Sequence, residues 1–136
     1  MSYAVSGALQ AAVFAALSGD AALGTLVGSA IYDAVPAGTV PDLYVRLGTE
    51  TVREASDGSG AGAVHALTIS VITTNPGFAS AKAAATAVSD ALNGADLALT
   101  RGTLVSIQFE RATARRIDAA SARQIDLRFR ARVSDD

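Results

Sequence analysis

Few side chains in this sequence are suited to acid–base chemistry, and His65 is the single histidine. A histidine that activates a serine, with a carboxylate to orient it, would suit hydrolysis. No serine lies in the Gly-x-Ser-x-Gly pattern of a nucleophile elbow, and a lone histidine at the start of a strand is typical of a packed residue. An enzyme that uses His65 is therefore the least favoured of our hypotheses, and we expect no catalytic residues.

Chemistry based on thiols, metals or bound phosphates is also disfavoured. The chain has no cysteine, so it offers no disulfide, thiolate ligand or thiol nucleophile. One histidine and scattered carboxylates do not make a tetrahedral metal site. The stretch DGSGAG at 57–62 resembles a phosphate-binding loop but lacks the Gly-Lys-Ser/Thr ending and the flanking strand and helix. The sequence predicts neither a metal nor a cofactor.

Arginines form the clearest pattern, in the stretch RQIDLRFRARV at 123–133. Because side chains alternate across a strand, Arg128, Arg130 and Arg132 share one face and apolar residues share the other. Guanidinium groups bind carboxylates in a bidentate manner and stay charged at any relevant pH. Two interpretations stay open: a solvated face with cross-strand ion pairs, or a face that contacts another subunit or a channel.

The elements that must position these residues belong to a chain of 136 residues, a length that suits one domain. Hydrophobic residues make up 50% but aromatic residues only 5%, so small aliphatic side chains must fill the core. The formal net charge of -2 is too balanced for a dedicated nucleic-acid binder. No apolar run reaches the length of a membrane span, and the N-terminus lacks the basic region of a signal peptide, which predicts a soluble chain without a membrane partner.

Apolar residues at three- and four-residue spacing predict two main helices. The first covers residues 5–18 and is followed by a short helical turn that Asp20 caps. The second covers Ala79–Leu92 and ends at the Asn-Gly pair that follows. Its inner stripe consists of Ala81, Ala84, Ala85, Val88, Ala91 and Leu92.

Alternating apolar residues predict four strands, at 43–47, 65–73, 104–111 and 122–133. The covered face is assigned to one stripe from each strand: Leu43, Val45 and Leu47; Leu67, Ile69 and Val71; Val105, Ile107 and Phe109; Ile125, Leu127 and Phe129. If both helices pack on that face, every apolar stripe is buried. The second helix then connects the second strand to the third. The prediction is one α+β domain over 1–136: a small four-stranded mixed or antiparallel sheet with two main helices packed on one face.

Residues 49–62 carry no hydrophobic pattern and become glycine-rich at their end. A stretch of this length is either disordered in the isolated chain or kept for contact with another molecule. We predict a flexible loop at about 49–63 and favour contact. Its charged side chains are Glu50, Arg53, Glu54 and Asp57.

Four stretches, in this order, carry a resemblance to a known family: IYDAVPAGTVPDLYVRLG at 31–48, HALTISVIT at 65–73, AKAAATAVSDALNG at 81–94 and LVSIQFERATARRIDAASARQIDLRFRARV at 104–133. Together they resemble the tail-completion or tail-terminator proteins of long-tailed bacteriophages and gene transfer agents. The resemblance covers nearly the whole chain after the first helix.

The resemblance implies a structural virion protein, assembled in the bacterial cytoplasm, that forms a homo-hexameric ring. Such a ring caps the head-proximal end of the tail tube, stops its polymerisation and meets the head–tail connector, or stopper, protein. The tail tube protein is the second implied partner, and DNA passes through the ring without specific binding. A different minor tail or head-closure component is the alternative.

Within that ring, Arg46, Arg128, Arg130 and Arg132 are the candidates for subunit or lumen contacts. The 49–62 segment is the candidate for contact with the tube or the connector. Glu110 and Asp126 are expected to neutralise part of the arginine charge, since unpaired arginines on every subunit would hold DNA tightly.

Overall fold

The computed structural model describes residues 2–56, 58, 60–117 and 121–135. A 3-10 turn, Ser2–Val5, leads into helices α1, Ser6–Ser18, and α2, Ala21–Val27, and helix α3 covers Ala79–Leu92. The strands are β1, Ile31–Tyr32; β2, Leu43–Glu54; β3, Gly62–Thr73; β4, Thr103–Ile117; and β5, Ala122–Ser134.

The strands form one mixed sheet in the order β1-β2-β3-β5-β4. β1 is parallel to β2, and every other neighbouring pair is antiparallel. Helix α3 connects β3 to β4, but β5 lies between those two strands, so the crossover spans one strand. The described residues thus form an α+β fold with five strands and three α-helices, where the sequence predicted four strands and two main helices. β1 has only two residues, too few to show a periodicity.

The helices follow the sequence signals closely. α3 has the predicted bounds, and its buried residues include all of the predicted inner stripe except Ala91, which is half-buried. α2 begins where expected, because Asp20 Oδ2 accepts a hydrogen bond of 2.9 Å from the Leu23 backbone N–H.

The predicted loop at about 49–63 is wrong over most of its length. β2 continues to Glu54 and β3 begins at Gly62, so the connection covers only 55–61. Between Leu47 and Glu50 the register shifts, because β2 holds one residue more than β3 at this bulge. After the extra residue, even-numbered instead of odd-numbered positions face the helices. A prediction that assumes strict alternation along the whole strand therefore misses the second half of β2.

The core lies between the helices and one face of the sheet. Leu9, Val13 and Leu17 of α1 belong to the same buried apolar cluster as sheet residues such as Ile107 and Phe129. One predicted core position in β4 is wrong, because Val105 is 59% exposed; Phe109 lies on the predicted face opposite Phe129 but is 41% exposed. A bulge between Leu104 and Ser106 turns Val105 outward and buries Leu104 in its place.

Candidate interaction surface

No helix covers the sheet side opposite α1, α2 and α3 among the described residues; we call this side the open face. The strand register places on it Arg46, Arg53, Arg111, Arg115, Arg128, Arg130 and Arg132. The carboxylates that pair with these arginines are Glu110 and Asp126. Cations therefore dominate the open face although the chain as a whole has a formal net charge of -2.

The structure brings the four predicted contact arginines together on this face. Directly paired residues form rows across the strands on this face. In one row, Arg46 of β2 lies beside Ser70 of β3, and Ser70 lies beside Asp126 of β5. Sequence reasoning missed Arg115, because the polar segment after residue 111 was taken as a connection. It missed Arg111 because a bulge between Phe109 and Arg111 turns that residue to this face. The alternation of arginine or threonine with alanine in RATAR was the signal that could have assigned this segment to β4.

Asp126 is the best-connected anion of the open face. Its Oδ1 accepts hydrogen bonds from Ser70 Oγ at 2.6 Å and Gln124 Nε2 at 2.7 Å, and its Oδ2 lies 3.5 Å from Arg115 Nε. Partial burial raises the pKa of this carboxyl, but the hydrogen bonds from Gln124 and Ser70 and the Arg115 charge outweigh burial, so the net pKa lies below its ordinary value. Asp126 is thus ionised and neutralises Arg115.

Other arginines on this face keep unused hydrogen-bonding capacity. Arg128 Nε lies 3.1 Å from Glu110 Oε1, but the group is not aligned as a hydrogen-bond donor, and Arg46 Nε is buried without a partner among the described residues. Arg130 is exposed and makes no ion pair there. Arg132 instead donates a hydrogen bond of 3.0 Å to the Ala55 carbonyl. Because buried donors are normally satisfied, Arg46 and Arg128 are suited to water or a further partner.

The residues predicted to form one contact loop lie in different places. Arg53 is exposed on the open face, whereas Glu50 points to the helix side of β2. Glu54, also on that side, accepts hydrogen bonds from the Ser56 hydroxyl and backbone N–H, and the hydroxyl bond is the main cause of its lowered pKa. Asp57 lies outside the described residues.

His65 is fully buried and makes a polar contact in the core. Its Nδ1 lies 3.0 Å from Glu50 Oε2, and Ser6 Oγ donates to Glu50 Oε1 at 2.6 Å. Serine therefore contacts the carboxylate and not the imidazole, which is the wrong order for activating a nucleophile. His65 Nε2 is buried and has no partner among the described residues. This cluster ties α1 to β2 and β3.

The remaining surface features offer little chemistry. Within the described residues, no group of three or more His, Cys, Asp or Glu side chains could hold a metal ion. No single helix there is long and apolar enough to cross a membrane. One pair of helical segments, Tyr3–Ser18 and Ala21–Val27, together has the length and composition of a membrane span, but the pair is bent by 74°. A shallow groove on the open face is lined partly by Arg46, Arg115 and Asp126.

Comparison with known proteins gives a consistent family. The family model described as "Tail completion protein gp17" matches residues 11–134. A chain in the solved structure "Virion of native gene transfer agent (GTA) particle" is 63% identical, with a TM-score of 0.93, and the match covers 98% of this chain and 99% of that chain. The curated proteins give no match. Because the family model spans most of the chain, this protein belongs to the tail completion protein gp17 family and is a structural virion component of a phage-like particle.

Proposed function

We propose that this protein forms a hexameric ring that caps the head-proximal end of the tail tube. The ring ends tube polymerisation and joins the tube to the head–tail connector protein. Six copies, the tube protein and the connector are then its partners, and assembly takes place in the bacterial cytoplasm. The observation that carries the proposal is the end-to-end match to a gene transfer agent virion chain, together with the tail completion family model.

Termination follows from ring geometry. A head-to-tail contact between identical subunits closes into a ring when the rotation per subunit divides a full turn, which for a hexamer is one sixth. A closed ring leaves no free subunit contact, so it grows no further. One side of the ring then matches the last layer of the tube, and the other side presents a different surface to the connector.

The open face supplies charge for contacts inside such an assembly. Four arginines of the open face border either the neighbouring subunit or the lumen: Arg46, Arg128, Arg130 and Arg132. Their guanidinium groups can bind carboxylates of a neighbouring subunit or contact the phosphates of passing DNA. Glu110 pairs with Arg128, and Asp126 pairs with Arg115 on the same face. This partial neutralisation fits a lumen through which DNA passes without tight binding, because every unpaired cation adds to a salt-dependent affinity for phosphates.

The contact with the tube or the connector involves the end of the sheet formed by the β2–β3 connection. Arg53 is exposed there, beside Glu54 and the segment 55–61. Its position at the end of β2 allows contact with a flat neighbouring ring without movement of the core.

Tail length in particles that lack this protein tests the proposal. A terminator predicts overlong tails or tails without heads, because tube growth is not stopped. The alternative is a minor tail or head-closure role, which predicts tails of normal length and heads that lose DNA. Native mass of the purified chain adds a second test, since six copies agree with a terminator ring and a stable monomer at all concentrations contradicts it.

A further inference from the structure

We propose that neighbouring copies in the ring join through their sheet edges. Residues 111–117 of β4 in one copy pair in antiparallel fashion with 47–54 of β2 in the next copy. The proposal rests on the hexameric ring proposed above and specifies the contact that builds it. The partner is a second copy of this chain, and the sheets of successive copies become continuous.

The β4 edge is protected along one half and open along the other. Beside Ile107 and Phe109, the end of α3 covers the edge: the Gly94 N–H donates to the Ile107 carbonyl at 2.7 Å, and the Phe109 N–H donates to Asn93 Oδ1 at 2.8 Å. Beyond Phe109, the described residues give the outer side of 111–117 no backbone partner. An exposed edge of this length is a template for strand pairing.

The β2 edge has the complementary arrangement. β1 covers Val45 and Arg46, and the Val45 N–H donates to the Ala30 carbonyl at 2.9 Å. The outer side of 47–54 has no backbone partner within the described part of the chain. The open halves lie at opposite ends of the sheet, because 47–54 aligns with the start of β3 whereas 111–117 aligns with its end through β5.

The strand directions allow these two edges to meet. β2 is antiparallel to β3, β3 to β5, and β5 to β4, so β4 runs opposite to β2. A copy placed beside another with its open face on the same side therefore presents β2 antiparallel to the β4 edge of its neighbour. The contact uses two different surfaces of the chain, which is the type that closes rings. The offset of the two open halves staggers successive copies, as in closed sheets with tilted strands.

Charge selects one register. Paired residues must share a face, so the allowed registers differ by steps of two residues. One register places Arg116 opposite Glu50 and Ala114 opposite Val52 on the helix side, and Thr113 opposite Arg53 on the open face. The registers two residues to either side place Arg111 or Arg115 opposite Arg53, and like charges directly opposite are destabilising. Arg116 is exposed and has no ion-pair partner among the described residues.

Disulfide formation tests this register, and the natural absence of cysteine removes background. In the double variant Val52→Cys, Ala114→Cys the two Cα atoms of directly opposite residues are about 4.5–5.5 Å apart, within disulfide range. Oxidation of the purified ring should give a ladder of covalent species up to six chains on denaturing gels. The matched control Val52→Cys, Ala112→Cys moves one cysteine by two residues, to about 7–8 Å, and should give at least tenfold less product.

The outcomes separate the edge contact from the ring itself. A native mass of six chains without a ladder overturns the edge pairing and leaves the ring intact. Equal ladders from the pair and its control overturn the register. A wild-type chain that stays monomeric, with no ladder from either variant, overturns both proposals. The pair Thr51→Cys, Arg115→Cys tests the same register from the open face, so the result does not depend on the folding of one variant.

Discussion

At the residue scale, Asp126 neutralises part of the arginine charge on the open face within one subunit. It binds Ser70, Gln124 and Arg115 at once, which links β3, β5 and β4 through one carboxylate. Loss of this group would leave Arg115 without its ion pair and the two neutral donors without a charged acceptor.

We predict that Asp126→Asn lowers the free energy of unfolding at pH 7 by about 1–2 kcal/mol, because hydrogen bonds to a charged acceptor become neutral ones. The folded-state pKa of Asp126 lies below its ordinary value of 3.8. This group therefore contributes stability that is present above that value and is lost as the pH falls through the folded-state pKa. Urea unfolding from pH 7 to pH 3 should show the difference from wild type shrinking below about pH 4.

A suitable control is Asp90→Asn, since Asp90 is exposed on α3 and makes no ion pair among the described residues. It should change stability by less than about 0.5 kcal/mol. A difference between wild type and Asp126→Asn that stays constant from pH 7 to pH 3 would contradict the ionic origin of the effect.

His65 gives a second prediction at this scale. It is 0% exposed, so His65→Ala leaves a cavity and should lower the free energy of unfolding by about 2–3 kcal/mol, with a lower Tm in a thermal melt. Native mass measured below that Tm should still show the wild-type assembly, because the side chain does not reach the surface. Loss of assembly without loss of Tm is the result that would contradict this buried, structural role.

At the scale of elements, the sequence predicts the helices and strands that bury one apolar face in the core. α3 and β5 have unbroken apolar stripes, and their predicted bounds agree with the structure to within one residue. β4 beyond Phe109 has no such stripe, because α3 does not cover it and its stability comes from backbone pairing with β5. Such a strand carries little hydrophobic signal.

The candidate surface was predictable in part for the same reason. The alternation in β5 is enough to place Arg128, Arg130 and Arg132 on one face. Which strands lie beside β5 is decided by the topology, and the insertion of β5 between β3 and β4 cannot be read from a local pattern. Arg111 and Arg115, the neighbours that the sequence did not assign to this face, therefore required the structure.

The turn before β4 depends on Gly102. Its φ is +73°, and a Cβ there would lie 2.6 Å from the Ser134 carbonyl oxygen and 2.9 Å from Val5 Cγ2. Gly77 has the same φ with nothing within 4 Å of a Cβ. Both Gly→Ala changes cost about 1 kcal/mol of backbone strain, and Gly102→Ala should cost about 2 kcal/mol more through overpacking.

Chemical denaturation of the two variants measures this difference directly, with Gly77→Ala as the matched control. Equal losses in both variants would show that the turn can move away from Ser134 and Val5. The larger loss in Gly102→Ala would show that the 3-10 turn, β4 and β5 are held together at this point.

At the scale of the whole molecule, the positive charge lies mainly on one face. If copies join through their sheet edges, as we propose, the open face takes no part in the contact between neighbouring subunits and can line the lumen. The assembled ring should then retain DNA weakly at low ionic strength and release it at about 0.2 M salt.

We predict that the double variant Arg128→Glu, Arg130→Glu loses this low-salt retention in a mobility-shift assay while its native mass stays that of the wild type. Lys82→Glu, on the helix side of the sheet, should keep the retention and serves as the control. A fall in native mass would instead assign these arginines to contacts between subunits. Retention that survives the double reversal would remove them from the DNA path.

The extra residue at the bulge near Gly48 changes which residues of β2, odd-numbered or even-numbered, face the helices. Before it, odd-numbered residues such as Val45 point to the helices; after it, even-numbered residues such as Val52 do. Deleting one residue there would remove the bulge and leave Leu47 opposite Ile69 and Glu50 opposite Leu67, so Arg53 would stay on the open face. A deletion within 50–54 would instead turn the residues that follow it to the other face. The chain should therefore tolerate the loss of one residue at the bulge better than the same loss in the regular part of the strand.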